Sequence, residues 1–212
     1  MIVESLYCES MAQENSSAGK KIAVFDIDGA LLNDIEEEFG RHFIRKDSDL
    51  ERSFKEMIFN MMRFIPNNGS DIIDRCSALD PGAAEAMKFL SSKGFELHVV
   101  TSNARATKES IGKMIADAGI GGSVELDIVP KNKAGFINDR IKPEVVFEDQ
   151  YDVAMGISSK SKVFLVPRDY NRIGGRIAER MHSNISFMGF ADAISEIKRE
   201  DSDMGKRKAL FY

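Results

Sequence analysis

Four short groups of side chains have the types and order that phosphoryl chemistry needs: Asp26-Ile27-Asp28-Gly29, Thr101-Ser102-Asn103, the lysines Lys131 and Lys133, and Glu148-Asp149. Asp26 and Asp28 lie two apart, so on a continuing strand their side chains share a face, and where the strand unwinds they can still converge. One carboxylate can act on a substrate while the other handles protons. A carboxylate is a nucleophile toward phosphorus, forming an aspartyl phosphate, and a neighbouring acid can protonate the leaving oxygen and then activate water. A hydroxyl and a lysine would bind the phosphoryl oxygens and offset developing charge. Carboxylates gathered in this way suit Mg²⁺, a hard cation that takes oxygen ligands in octahedral geometry and keeps several waters. Taken singly, each group has an ordinary reading as a helix cap or turn, because Asp and Asn bond readily to nearby backbone.

The groups gain meaning from the elements that end in them. Lys21–Phe25 (KIAVF) is a short continuous apolar run, as expected for a strand buried on both faces of a parallel sheet, and it runs straight into Asp26. After Leu79 the chain alternates strand and helix, the pattern of βαβ units. Asp80-Pro81 opens a helix that Gly94 closes, followed by a strand over Phe95–Val100 that leads into Thr101. A helix over 104–118, a strand over 124–129, a short helix over 134–141 and a strand over Glu144–Phe147 follow, the last delivering Glu148-Asp149. A fifth strand, Lys162–Val166, precedes a helical stretch and a last amphipathic helix, Ala191–Lys198. The expected architecture is α/β, a doubly wound, Rossmann-like parallel sheet, in which ligands bind beyond the carboxyl ends of the strands.

Between the first strand and Leu79 the pattern is different. Phe39, Phe43, Phe54, Met57, Ile58, Met61 and Met62 recur at three- and four-residue spacings, and Pro66-Asn67-Asn68-Gly69-Ser70 breaks the run. Residues 34–78 are therefore expected as a small helical insertion, with 21–33 and 79–200 as the core. The polar segment 1–20 and the segment 201–212, with its GKRK cluster, are expected as tails.

Composition narrows the function classes. The chain has 212 residues, 43% hydrophobic and 30% charged, enough for one sizeable core. The net charge of −5 offers no basic field for phosphate backbones, so no nucleic-acid partner is expected. No run approaches the ~20 apolar residues of a membrane span, and no basic region followed by an apolar run opens the chain, so a cytoplasmic location without membrane contact is expected. Cys8 and Cys76 lack CxxC spacing and are read as reduced thiols, while His42, His98 and His182 form no zinc-binding pair.

In their order and positions these motifs resemble the haloacid dehalogenase superfamily, whose phosphatases carry DxDGxL on the first strand, a Ser or Thr after the second, a Lys further on and an acidic pair after the fourth. The resemblance covers residues 21–166. It implies that Asp26 is the nucleophile and Asp28 the general acid/base. It further implies a Mg²⁺ site made by Asp26, the backbone carbonyl of Asp28, Asp149, and Glu148 directly or one step removed. Thr101 would bind the phosphoryl group, helped by Gly29, Ser102 and Asn103. Lys133, at the position opening the following helix, is preferred over Lys131 as the phosphate-binding lysine, whereas Lys142 falls at the opposite end of the sheet from the acids. The insertion would be a small helical cap that closes over the site and sets substrate choice.

Two departures stand out. Ala30 occupies a position where many such proteins have Thr, and Val166-Pro167-Arg168-Asp169-Tyr170-Asn171-Arg172 resembles a loop of deoxyribonucleotidase-like members, or is simply a turn entering a helix. The expected function is Mg²⁺-dependent hydrolysis of a small phosphate monoester, with nucleoside monophosphates among the candidates. The alternatives are a phosphomutase or phosphotransferase using the same site, and a non-catalytic module that binds Mg²⁺ and a phosphorylated ligand.

Overall fold

A computed structural model describes residues 20–32, 78–102 and 107–209, together with the isolated Lys55 and Ile58, with side chains described as far as Asp203. Asn103, the tail expected before Lys20 and almost all of the helical insertion expected over 34–78 lie outside the described residues. So do residues 210–212.

The strand β1 (Ile22–Phe25) occupies the middle of the sheet, which suits a segment that is apolar on both faces. After it come α1 (Pro81–Ser92), β2 (Glu96–Thr101), α2 (Lys108–Asp117) and β3 (Val124–Ile128). A short helix, α3 (Lys133–Phe136), continues as a π-helical turn over Ile137–Ile141 into β4 (Val145–Glu148). The chain then forms α4 (Tyr151–Gly156), β5 (Lys162–Leu165), α5 (Arg172–Met181), β6 (Ile185–Phe187) and α6 (Phe190–Ala209). All strand pairs are parallel, in the order β3-β2-β1-β4-β5-β6. From β1 the chain winds outward through β2 and β3, and then returns to lay β4 on the other side of β1. The strand order therefore reverses between β1 and β4, which is where a doubly wound sheet opens a crevice at its carboxyl edge.

One core lies on each face of the sheet. On one side Leu90, Ile111, Met114 and Ile197 from α1, α2 and α6 pack against Phe25, Leu97, Val99 and Phe147. On the other, Ile137, Ala154 and Ala178 pack against Val24, Val146, Val163 and Leu165. Phe25, Phe147 and Phe164 sit in one register row across β1, β4 and β5. Their rings stack, with centroids 4.7 Å apart for Phe25–Phe147 and 5.3 Å for Phe147–Phe164, and Phe190 adds a contact of 5.2 Å. This row lies one residue before Asp26 and Glu148 and forms the floor on which both acids stand. Phe147→Ala is expected to destabilise the fold by about 3–5 kcal/mol, the usual cost of truncating an enclosed aromatic ring. Denaturant unfolding of the variant measures it; a loss under about 1 kcal/mol would mean that the row is not packed as described.

The strand and helix boundaries follow local chemistry. Asp80 caps α1 by accepting from Gly82 N at 2.8 Å and Ala83 N at 3.3 Å, with Pro81 at the first helical position. Thr107 and Ser110 form a reciprocal capping box, so the helix expected from residue 104 is capped at Thr107 and begins at Lys108. The last helix needs a larger correction. Expected to stop at Lys198 ahead of a tail from 201, it runs from Phe190 to Ala209. Pairing across the fold supports the continuation: Lys162 on β5 reaches both Glu196 and Glu200, and Lys93 reaches Asp201 at 3.4 Å. Among the described residues, no helix is long and apolar enough to cross a membrane.

Candidate active site

The polar groups enclosed by this fold are not scattered. Among the described residues the buried polar and charged side chains are Asp26, Thr101, Lys133, Glu148, Asp149, Arg168, Asn171 and Ser161. All but Ser161 come from the carboxyl ends of strands or the loops that follow them. Asp26 follows β1, and its N–H donates to Phe147 O at 3.0 Å, so it is level with the end of β4, where Glu148 and Asp149 lie. One ligand atom from each of Asp26, Glu148 and Asp149 falls within 4.8 Å of the others.

Lys133 enters this cluster from the first position of α3. Its Nζ lies 2.7 Å from Asp26 Oδ1 and 2.8 Å from Glu148 Oε2, and the residue is 4% exposed. The backbone turns sharply to put it there: Asn132, before it, has φ of 54° and caps the helix by accepting from Gly135 N at 3.2 Å. Lys131 is exposed, as is Lys142. The other oxygen of Glu148 accepts from the N–H groups of Asp149 at 3.1 Å and Gln150 at 3.0 Å, which fixes its carboxylate. Asp26 Oδ2 is enclosed and has no hydrogen-bond partner.

Burial dominates the electrostatics. It pushes Asp26 well above the usual carboxylate range, against the pull of the Lys133 charge, with Glu148, Asp149 and Asp28 adding to the rise. Burial likewise pushes Glu148 up to about 7, again against Lys133, with Asp149 adding to the rise. For Lys133 burial acts to lower the value, but the charges of Asp26 and Glu148 outweigh it and hold the ammonium above its ordinary pKa.

The remaining sequence-derived positions divide. Thr101 is fully buried at the end of β2, beside β1, and its carbonyl accepts from Val129 N at 2.7 Å. Ser102 is exposed. Asp28 is half-buried in the loop after β1, where it bridges to Leu32. Gly29 has φ of +88°, a conformation that favours glycine, and a Cβ there would stand 2.0 Å from the Tyr170 hydroxyl and 2.3 Å from Asp149 Oδ2. The loop folds back through Leu31 N to Asp26 O at 3.1 Å and Leu32 N to Ile27 O at 2.9 Å.

Sequence reading did not assign a role in the site to the loop after β5. Arg168, 7% exposed, donates from Nε to Gly29 O at 2.7 Å and from Nη2 to Ala30 O at 3.2 Å and Asp80 Oδ2 at 3.2 Å. The carbonyls of the Asp26–Leu32 loop are therefore held from a segment 138 and 139 residues away in sequence. Tyr170 and Asn171 hold Asp149 in a similar way. The signal in the sequence is the resemblance of Val166–Arg172 to a nucleotidase loop; its other reading, a turn entering a helix, is what the structure has, since the segment leads directly into α5.

No protein-family model matches this sequence, and no curated protein does. Among solved structures, the chain is similar to a predicted phosphoglycolate phosphatase from Haemophilus somnus, at 13% identity and a TM-score of 0.50, over 86% of this chain and 100% of that one. It also aligns with a hydrolase of the haloacid dehalogenase family from Deinococcus radiodurans, solved with bound phosphate and sodium, at 15% identity and a TM-score of 0.45 over 84% of this chain and 94% of that one. A dehalogenase aligns at 14% identity and a TM-score of 0.40 over 72% of this chain and 89% of that one. The first likeness and the 3-2-1-4-5-6 parallel sheet agree with the motifs: the chain has the fold of the haloacid dehalogenase superfamily.

Proposed function

We propose that this chain, on its haloacid dehalogenase fold, is a Mg²⁺-dependent phosphomonoester hydrolase that acts through an aspartyl phosphate on Asp26. The observation carrying this reading is a charge imbalance in a dry place. Among the described residues, the three convergent carboxyl groups of Asp26, Glu148 and Asp149 gather around the ammonium of Lys133, which pairs with the first two, and with all three ionised their formal charge exceeds that of the lysine by two. A divalent cation supplies that charge, and an all-oxygen donor set is what Mg²⁺ takes. The bare, enclosed Asp26 Oδ2 is an acceptor of the kind such an ion uses. Asp26, Asp149 and Glu148 are the residues that would hold it, with the carbonyl of Asp28 added by resemblance. When bound, the ion would neutralise charge and polarise the phosphoryl oxygens.

The chain's own residues divide the remaining work. The Asp26 carboxylate forms a bond to phosphorus as the ester P–O bond breaks, and the departing oxygen takes the proton of Asp28. Asp28, now ionised, removes a proton from water as that water attacks phosphorus. Inorganic phosphate leaves, and Asp26 returns to its carboxylate form. Asp28 is half-buried where Asp26 is enclosed, which suits a group that must exchange protons with water. Lys133 remains protonated throughout and offsets the charge that develops on the phosphoryl group. Thr101 is proposed to bind that group with help from Gly29 and Ser102, and the resemblance alone adds Asn103. Small organic phosphates, nucleoside monophosphates among them, are the proposed substrates, and the cytoplasm the proposed compartment.

Phosphate release from p-nitrophenyl phosphate and a panel of nucleoside monophosphates tests the reading. Turnover that requires Mg²⁺ and stops in EDTA is expected. Silence across the panel in a protein that binds Mg²⁺ would favour the non-catalytic module.

A pH dependence follows from Glu148. Its folded value of about 7 lies above that of an unfolded glutamate, so the protonated form favours the fold. That contribution is complete below the unfolded value of roughly 4.3 and is lost as pH rises through about 7. The metal-free protein is therefore expected to have a lower Tm at pH 8 than at pH 5.5. Mg²⁺ must displace the same protons, so it should raise Tm more at pH 8 than at pH 6. Thermal unfolding with Mg²⁺ and with EDTA measures both effects; a Mg²⁺-induced rise that is larger at pH 6 contradicts them.

A further inference from the structure

Tyr170 is among the largest side chains wholly enclosed by the protein, 1% exposed, yet its hydroxyl is directed at the acidic cluster. It donates to Asp149 Oδ2 at 2.5 Å. A buried phenol needs an acceptor for its hydroxyl, and the backbone carbonyls of a loop normally suffice. Here the acceptor is one of the three carboxylates that converge on a common point. The next residue grips the same aspartate by its main chain: Asn171 Nδ2 donates to Asp149 O at 2.7 Å and to Val166 O at 2.9 Å. Asn171 Oδ1 in turn accepts from Arg168 N at 2.8 Å, which closes the loop on itself. Two adjacent side chains thus hold Asp149 at its carboxylate and at its carbonyl.

The approach is built from both sides. Gly29 stands against the phenol, and any Cβ at that position would lie 2.0 Å from the Tyr170 oxygen. The terminal torsion of an aspartate is broad, so without a fixed partner the plane of its carboxylate rotates. A hydrogen bond from a neutral donor removes that freedom without cancelling the charge, as a lysine or arginine would. Outer partners of this kind orient metal ligands and raise affinity for the ion by about 10–100-fold.

We propose that Tyr170 is a positioning residue that fixes the Asp149 carboxylate for a divalent cation and so sets the affinity of the site for that ion. The inference rests on the reading of Asp149 as a cation ligand. Tyr170→Phe keeps the ring and its packing and removes the one oxygen that matters. Calorimetric titration of Mg²⁺ alone into the full chain, with no substrate present, is the test. The wild-type protein binds Mg²⁺, and Tyr170→Phe binds it about tenfold or more weakly. Tyr170→Met, which also lacks the hydroxyl but fills the space with a flexible apolar side chain, supplies a second perturbation, and it weakens Mg²⁺ binding in the same direction. It stands as the test if Tyr170→Phe does not fold. Equal Mg²⁺ affinity in the folded variants and the wild type overturns the role of Tyr170 while leaving the cation site intact. Absence of Mg²⁺ binding in the wild type overturns the cation site itself, and the role of Tyr170 with it.

Discussion

Lys133→Met is expected to lower kcat by about 10²–10³-fold, the scale of losing one preorganised charge that faces developing negative charge. The same substitution should cost the metal-free protein about 3–5 kcal/mol near pH 8, as removal of one partner from a buried ion pair does. Asp26 and Glu148 are left facing each other with no ammonium between them. The stability loss should be smaller at pH 5.5. Removing the lysine takes away a charge that pulls both carboxyl groups downward, so both hold their protons more firmly in the variant, and at the lower pH less charge is left unpaired. Denaturant unfolding of wild type and variant at the two pH values measures this. A loss that is equal at pH 5.5 and pH 8 would mean that Lys133 contributes packing rather than charge. Methionine is the right replacement because it fills most of the same volume, so little of the effect comes from a cavity.

The second large effect concerns Asp26. Asp26→Asn is expected to reduce turnover at least about 10⁴-fold, because an amide cannot form the aspartyl phosphate. The fold should survive. The amide fits the same space, Lys133 retains Glu148 as a partner, and the cluster loses one of the three charges that burial penalises. The expected signature is therefore an inactive protein whose metal-free Tm is equal to or above that of the wild type at pH 8. Activity within tenfold of wild type would remove Asp26 from the nucleophile role.

Much of this was legible from the sequence because its signals are local. KIAVF is a strand by its own composition, Asp80-Pro81 opens a helix by its own capping, and the four motifs fall where strands stop. The preference for Lys133 rested on its place at the opening of a helix, and it is Lys133 rather than Lys131 that touches Asp26. What escaped the sequence depends on distance or on brevity. β6 is three residues long, too short for a period to declare itself. The far half of α6 reads as a charged tail until Lys93 and Lys162, remote in sequence, are seen to pair with it. The contacts of Tyr170 and Arg168 span 21 to 139 residues and leave no local pattern beyond a Tyr-Asn pair in a turn.

The proposed mechanism requires a covalent bond between Asp26 and phosphorus. Wild-type protein would be mixed with Mg²⁺ and p-nitrophenyl phosphate, quenched within the first turnover, reduced with borohydride and digested for mass spectrometry. Reduction converts an aspartyl phosphate to homoserine. Homoserine at position 26 is the expected result, absent when substrate is omitted and absent in Asp26→Asn. Homoserine at another carboxylate, or phosphate release with none at position 26, would contradict the mechanism.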